Sequence, residues 1–347
     1  MTAHARLEDH LSAWAHGQSD RAAVATTIGA LATACAKIAE IVANGDLEGD
    51  LAASRGDGGG GDEQKELDVR ANDILTEALR AAPVASVASE ELDQPVSLNP
   101  GAPLVVAVDP LDGSSNIETN VSVGTIFSIL PAPAKDADSA EAFLRPGREQ
   151  LAAGYFIYGP QTNLVLTVGD GVDIFTLERT SGRFLLTKAG VRVPAKAKEF
   201  AINASNYRHW DSPVRIWFND CLAGTEGCRS QDFNMRWIAS MVAEAHRILM
   251  RGGVYLYPGD TRAGYRSGRL RLVYEGNPIG MVMEQAGAMA STGRARILEC
   301  VPDSLHARVP LMFGSREEIE RLQRYHADPH PLGEQSPLFS RRGLFRK

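Results

Sequence analysis

Apolar residues recur at helical spacing from Arg21 to Asn44, through Val24, Ile28, Leu31, Cys35, Ile38 and Val42, and Asn44-Gly45 supplies a stop signal. A second helical pattern runs from Asp68 to Arg80 through Val69, Ile74, Leu75 and Leu79. Between them lies "SRGDGGGGDEQKE", residues 54–66, whose glycines disfavour regular structure. It reads either as a flexible linker or as a mobile loop that closes over a site, with Asp57, Asp62 and Glu63 at its ends. The pattern then changes to strands: "ASVAS", the apolar run Leu104–Val108, "VSVGTIFSIL", and a period-two stretch over 152–187 broken by Gly-Asp-Gly and Ser-Gly, the mark of an antiparallel meander.

A second half begins near residue 190. "EFAINAS" predicts a strand, "MRWIASMVAEAHRILMRGG" a helix and "GRLRLVYE" a strand. Asn277-Pro278 predicts an N-cap opening a helix to Gly287, and Ser315 with Glu318 a capping box for the last helix. Strands and helices interleave in both halves without an internal repeat, so the expected class is α/β.

A length of 347 residues suits two domains or one large layered one. The apolar share of 44% and charged share of 23% are those of a folded globular protein. No apolar run approaches the roughly 20 residues that span a bilayer, and the N-terminus lacks a signal-peptide layout, so a cytoplasmic protein without a membrane partner is expected. The net charge of −7, with a basic block only in the tail "SRRGLFRK", argues against nucleic acid as a partner. Of the four cysteines, none has zinc-like CxxC spacing. Cys221 and Cys228 flank a loop and read either as reduced structural thiols or as a redox pair.

The candidate chemistry lies in acids at element ends: Asp68, Glu90, Glu91, Asp109 and Asp112. Any one of them reads equally as a cap or a solvated turn. The stretch "DPLDGSSN" does not. Pro110 biases Asp109 towards extended backbone and Gly113 permits a tight turn, so both aspartates can be aimed at one point beyond a buried strand. Converging carboxylates repel unless a cation lies between them, and oxygen ligands without histidine or cysteine suit Mg²⁺ or Mn²⁺. Gly113, Ser114 and Ser115 then offer N–H groups and hydroxyls to a phosphate. The pattern points to metal-assisted phosphate ester hydrolysis, with a metal-stabilised structural turn as the alternative. In "GRLRLVYE", strand alternation would put Arg269, Arg271, Val273 and Glu275 on one face, either a phosphate-and-metal face or a solvated polar stripe.

"GDEQKELD", "SEE", "DPLDGSSN", "VGTIFSI", "AAGYFIYG", "SMVAEAHRIL", "GGVYLYP", "LRLVYEGNP" and "VMEQAG" occur in an order that resembles the class I fructose-1,6-bisphosphatases, over about residues 21–325. The wider group of lithium-sensitive sugar and inositol phosphatases shares the Asp-Pro-x-Asp-Gly core, and Ser-Ser-Asn after it resembles the bisphosphatase branch. The resemblance implies a layered αβαβα fold with a metal-binding domain over 1–189, a sugar and 6-phosphate domain over 190–335, and a tail over 336–347. By motif it implies metal ligands at Asp68, Glu90, Asp109, Asp112 and Glu275 and at the Leu111 carbonyl, with Mg²⁺ as cofactor, two or three ions per subunit, and Mn²⁺ as a substitute. It implies water activation by Asp62 and Glu91, with Asp68 in the same catalytic group, and no covalent phosphoenzyme. Asp112, Gly113, Ser114 and Ser115 would hold the 1-phosphate, and Asn203, Tyr257 and Arg269 the sugar and 6-phosphate. Arg236 would reach the 6-phosphate of a neighbouring subunit in a homotetramer.

The chain departs from the family pattern at Arg269, where lysine is common, and at Trp237 and Asn206, where tyrosines are common. Pro103-Leu104 and Leu130-Pro131 replace residues of the family's AMP site, which implies weak or absent AMP inhibition. The expected reaction is hydrolysis of the 1-phosphate of fructose 1,6-bisphosphate. A dual enzyme that also takes sedoheptulose 1,7-bisphosphate and an inositol-monophosphatase-like enzyme are the alternatives. A non-catalytic sugar-phosphate binder is the remaining one. Service in gluconeogenesis or in a carbon-fixation cycle is left open.

Overall fold

The computed structural model describes residues 4–328. The tail expected over 336–347 lies outside them.

The helices Leu7–Ala15 (α1), Ser19–Asn44 (α2) and Glu66–Arg80 (α3) cover one face of an eight-stranded sheet. In space its strands run Arg183–Lys188, Asp173–Glu178, Thr162–Thr167, Ala152–Tyr158, Val123–Pro131, Leu104–Asp112, Val84–Ser89, Val96–Ser97. The first six are the antiparallel meander and its neighbours, and Val84–Ser89 alone pairs parallel to Leu104–Asp112. Ile28, Leu31 and Ile38 of α2 are fully buried against Val106, Phe127 and Phe156, each contributing about 1.5–3 kcal/mol.

The opposite face, with Ile126, Tyr155 and Val165, packs on Met241–Arg251 and Asn277–Gln285. Those helices lie in turn on a five-stranded sheet ordered Asn234–Met235, Glu199–Ile202, Val254–Tyr257, Leu311–Gly314, Met289–Ser291. Its far face, carrying Phe200, Leu256 and Met312, is closed by Ser212–Leu222 and Arg316–Ala327 through Trp217 and Leu322. The result is five layers, αβαβα.

Several local expectations change. By length and composition the helical segment Ser19–Glu48 is apolar enough to cross a bilayer, contrary to the reading of the sequence. Its apolar stripe is instead spent on the sheet and on α3. The glycine-rich stretch is an antiparallel hairpin, Ser54–Asp57 against Glu63–Lys65, turned by Gly59–Gly61, because Gly60 and Gly61 supply positive φ values of 67° and 77°. The helix expected from Met235 starts at Met241; Ser240 caps it, its Oγ accepting the Ala243 N–H, and Asn234–Met235 pairs as a parallel strand with Glu199–Phe200.

Asn277 is the first residue of its helix and not the cap, since the chain enters already wound. Ser315 precedes the last helix without capping it. Its hydroxyl donates to the Pro194 carbonyl and accepts the Gly253 N–H, while Glu318 turns to Trp217 and Arg229. "GRLRLVYE" is extended only at Leu270–Arg271 and then winds through a π-turn, Leu272–Gly276. The turn lets the Arg271 N–H donate to the Glu275 carboxylate and buries Val273 and Tyr274. The common face expected for Arg269, Arg271 and Glu275 therefore does not form.

Candidate active site

The strand Leu104–Asp112 is buried throughout, and Pro110, which has no N–H to give a ladder, is accommodated where the pairing register with Val123–Pro131 shifts between Asp109 and Asp112. The shift aims both aspartates out of the sheet end. Asp109 Oδ1 accepts the Leu111 N–H at 3.0 Å. Asp112 Oδ2 accepts the Val242 N–H at 2.9 Å, at the start of Met241–Arg251, which ties the strand end to the helix packed between the two sheets. The π-turn brings Glu275 to the same point, and oxygens of Asp109, Asp112 and Glu275 lie within 4.8 Å of one another.

These groups and Asp62, Asp68, Glu90, Glu91, Leu111, Gly113 and Ser114 line one cavity of about 170 Å³. Ser115 is exposed and outside that lining. The Gly113 backbone has φ +81°, and its missing Cβ leaves room for Ser240. Asp68 caps α3, with Oδ2 accepting the Lys65 N–H at 2.7 Å, while its buried Oδ1 has no partner.

Burial is the main cause of the electrostatic strain. It pushes Asp68 up to about 6, with Glu90 adding repulsion, and Asp112 up to about 6. Glu91 rises to about 7 through burial and the nearby Asp68, although Gln64 donates to it at 2.8 Å. Asp109 and Glu275 rise well above the carboxylate range through burial and repulsion from Glu90 and Asp112. Such a set calls for more positive charge than its own side chains give it.

Among the described residues, a buried arginine enters the cluster. Arg271, 5% exposed, pairs with Glu90, donates to Asp62 at 2.6 Å and reaches the Gly59 carbonyl at 3.3 Å. Arg308 holds Asp62 from the other side at 2.9 Å. Partial burial would raise Asp62, but Arg271 and Arg308 outweigh it and keep the carboxyl below its usual range. The hairpin is thereby docked onto the site. Gly59 sits so tightly that a Cβ would come within 2.4 Å of the Glu90 carbonyl, and His306 lies against Gly60 while its Nε2 is 3.1 Å from the Leu92 carbonyl.

A second, much smaller cavity of about 10 Å³ is lined by Asn203, Asn206, Tyr257, Asp260 and Tyr265, together with Trp210 and Leu256. Arg269 adjoins it, its Nη1 3.4 Å from the Tyr265 hydroxyl. Trp237 stands beside Tyr257, ring centroids 6.2 Å apart. Arg236 lies elsewhere, half exposed, with Nε 3.8 Å from Glu199. A larger cavity of about 610 Å³ between Arg266, Arg294 and His326 holds no comparable carboxylate set. Reading the sequence missed the docking role of Arg271, and Arg308, His306 and Tyr265 altogether. Only Arg271 left a signal, a charge inside an apolar run. All four cysteines are free thiols, with Cys221 buried.

The chain matches the family model for the fructose-1-6-bisphosphatase N-terminal domain over residues 10–189 and that for the C-terminal domain over 193–327. It is 56% identical over 336 residues to a class 1 fructose-1,6-bisphosphatase of Xanthobacter autotrophicus, covering 96% of this chain and 90% of that one. It is 54% identical over 348 residues to the corresponding protein of Sinorhizobium medicae, covering 99% of each. The crystal structure of Leishmania major fructose-1,6-bisphosphatase in holo form superposes with a TM-score of 0.86 at 33% identity, over 94% of this chain and 99% of that one. With matches of this extent in both halves, the chain belongs to the fructose-1,6-bisphosphatase family of phosphoric monoester hydrolases.

Proposed function

We propose that the protein hydrolyses the 1-phosphate of fructose 1,6-bisphosphate with Mg²⁺ at the carboxylate cavity. The observation that carries this is the convergence of Asp109, Asp112 and Glu275 within 4.8 Å, buried and short of positive charge. The donor set fits a hard cation: all oxygen, with Glu90, the Leu111 carbonyl and the unpartnered Oδ1 of Asp68 on the same cavity. Bound Mg²⁺ would neutralise the phosphate and acidify the attacking water. Asp109, Asp112, Glu275, Glu90 and Asp68 would hold it.

The remaining steps belong to the chain. Backbone N–H groups after Gly113 and the Ser114 hydroxyl would receive the 1-phosphate, with Ser115 at the rim. Asp62, ionised between two arginines, and Glu91, which titrates near 7, accept the proton of the attacking water. Asn203, Tyr257 and Arg269 would bind the sugar and its 6-phosphate. The division of work between residues 1–189 and 190–335 and a cytoplasmic homotetramer with Arg236 contributed in trans belong to the same reading.

Phosphate release from fructose 1,6-bisphosphate, sedoheptulose 1,7-bisphosphate and inositol monophosphate, each with Mg²⁺, tests it. Preference for the fructose ester supports the proposal. Preference for the monophosphate would keep the cavity and discard the second phosphate pocket.

A further inference from the structure

The loop Pro258–Gly268 is tightly built. Asp260 N–H donates to the Tyr265 carbonyl at 3.0 Å, Tyr265 N–H to Arg262 at 3.1 Å, and Gly268 N–H to Tyr265 at 3.0 Å. Gly259 and Gly268 leave no space for a Cβ, which would stand 2.3 Å from the Arg266 and Val309 carbonyls respectively. This frame turns the Tyr265 ring into the cavity with Asn203, Asn206 and Tyr257.

Two guanidinium groups lie over that ring. Arg262 is 4.3 Å from its centroid and Arg269 5.0 Å. Their charges differ in use. Arg262 is forked onto Asp260, with Nε 3.1 and 3.0 Å from its two oxygens, so its charge is spent inside the loop. Among the described residues Arg269 has no carboxylate partner, and it is exposed; its contacts there are the Tyr265 face and the 3.4 Å approach to the hydroxyl. Arg269 stands beside that cavity through Tyr265, while the lining carboxylate Asp260 is already neutralised by Arg262, and such a guanidinium is suited to a phosphate monoester oxygen set.

We propose that Tyr265 is a specificity-determining residue: its ring and hydroxyl hold Arg269 at the mouth of the sugar cavity, where the guanidinium receives the distal phosphate of a sugar bisphosphate. This rests on the reading of that cavity as the sugar and 6-phosphate site. Tyr265 is a positioning residue and touches no reacting atom. Its removal affects recognition of the second phosphate and not hydrolysis of the first.

The test compares Tyr265→Ala, Tyr265→Phe, Arg269→Ala and the double variant on fructose 1,6-bisphosphate and on fructose 1-phosphate, which lacks the distal phosphate. Tyr265→Ala raises KM for the bisphosphate about tenfold, about 1.4 kcal/mol, with kcat within about twofold and a smaller loss of kcat/KM on fructose 1-phosphate than on the bisphosphate. Tyr265→Phe keeps the ring and rescues most of the loss. Arg269→Ala loses at least as much as Tyr265→Ala, and the double variant no more than Arg269→Ala alone. Titration of fructose 6-phosphate into each variant gives the same order without turnover. An unchanged KM in Tyr265→Ala while Arg269→Ala is impaired overturns the proposal. So does an equal loss on both substrates, or additive losses in the double variant. An unimpaired Arg269→Ala overturns the cavity assignment and this inference with it.

Discussion

Replacing Arg271 by Met removes a buried cation from the carboxylate cluster while keeping most of the side-chain volume. Arg271 is 5% exposed and neutralises Glu90 and Asp62 beside the buried Asp109 and Glu275. Breaking a buried pair by removing one partner costs about 3–5 kcal/mol. With an unfolding entropy near 2.1 cal/mol/K per residue, a chain of this length loses roughly 1.4 °C of Tm per kcal/mol, so the expected drop is roughly 4–7 °C at pH 8 without divalent metal. Mg²⁺ supplies the missing charge, and the difference from wild type shrinks when it is added. Arg271→Lys recovers part of the stability but cannot fork onto both Glu90 and Asp62. Differential scanning calorimetry on the metal-free and Mg²⁺-loaded proteins measures both effects. A metal-free Met variant that melts with wild type, or a deficit that Mg²⁺ leaves untouched, would refute the view that Arg271 partly offsets the charge of the cluster.

Asp109→Asn lowers kcat by at least about 10³-fold if the cavity acts through its charge, read by phosphate release with the variant's fold checked by circular dichroism. Carboxyls raised in the folded metal-free protein bind protons more tightly than in the unfolded chain, so their contribution to stability falls as pH rises through about 6 for Asp68 and Asp112 and about 7 for Glu91. The Tm gain from a fixed Mg²⁺ concentration therefore grows from pH 6 to pH 8; a gain that shrinks over that range contradicts the charge accounting. Gly59→Ala drives a Cβ to 2.4 Å from the Glu90 carbonyl and undocks the hairpin, so trypsin cleaves faster after Arg55 and Lys65 and activity falls at least about tenfold with little change in Tm. Micromolar AMP leaves activity within about twofold of control, the outcome implied by the departure from the family resemblance at Pro103-Leu104; strong inhibition at that concentration would overturn that reading.

The layers were legible because their signals are periodic. The α2 stripe and the meander over 152–187 are long; α2 buries the face its period defines, and the central meander strands are buried on both faces. The carboxylate site was legible for a different reason: Asp109-Pro110-Leu111-Asp112-Gly113 concentrates charge and backbone constraint in one short stretch. "GRLRLVYE" misled because Glu275 offers its own carboxylate to the Arg271 N–H, a local bond that strand alternation does not foresee. The glycine-rich hairpin was hidden because its order comes from distant partners, Arg271, Arg308 and His306, well over a hundred residues away in sequence. Tyr265 was hidden likewise: nothing in "TRAGYRSGR" says that two arginines will stack on one ring.

The most direct measurement is the initial rate of phosphate release from fructose 1,6-bisphosphate by chelator-stripped protein as Mg²⁺ is added back. The account expects no release above background in the stripped protein and a saturable recovery with Mg²⁺. Full activity in the continued presence of chelator would contradict the assignment of Asp109, Asp112 and Glu275 to a metal.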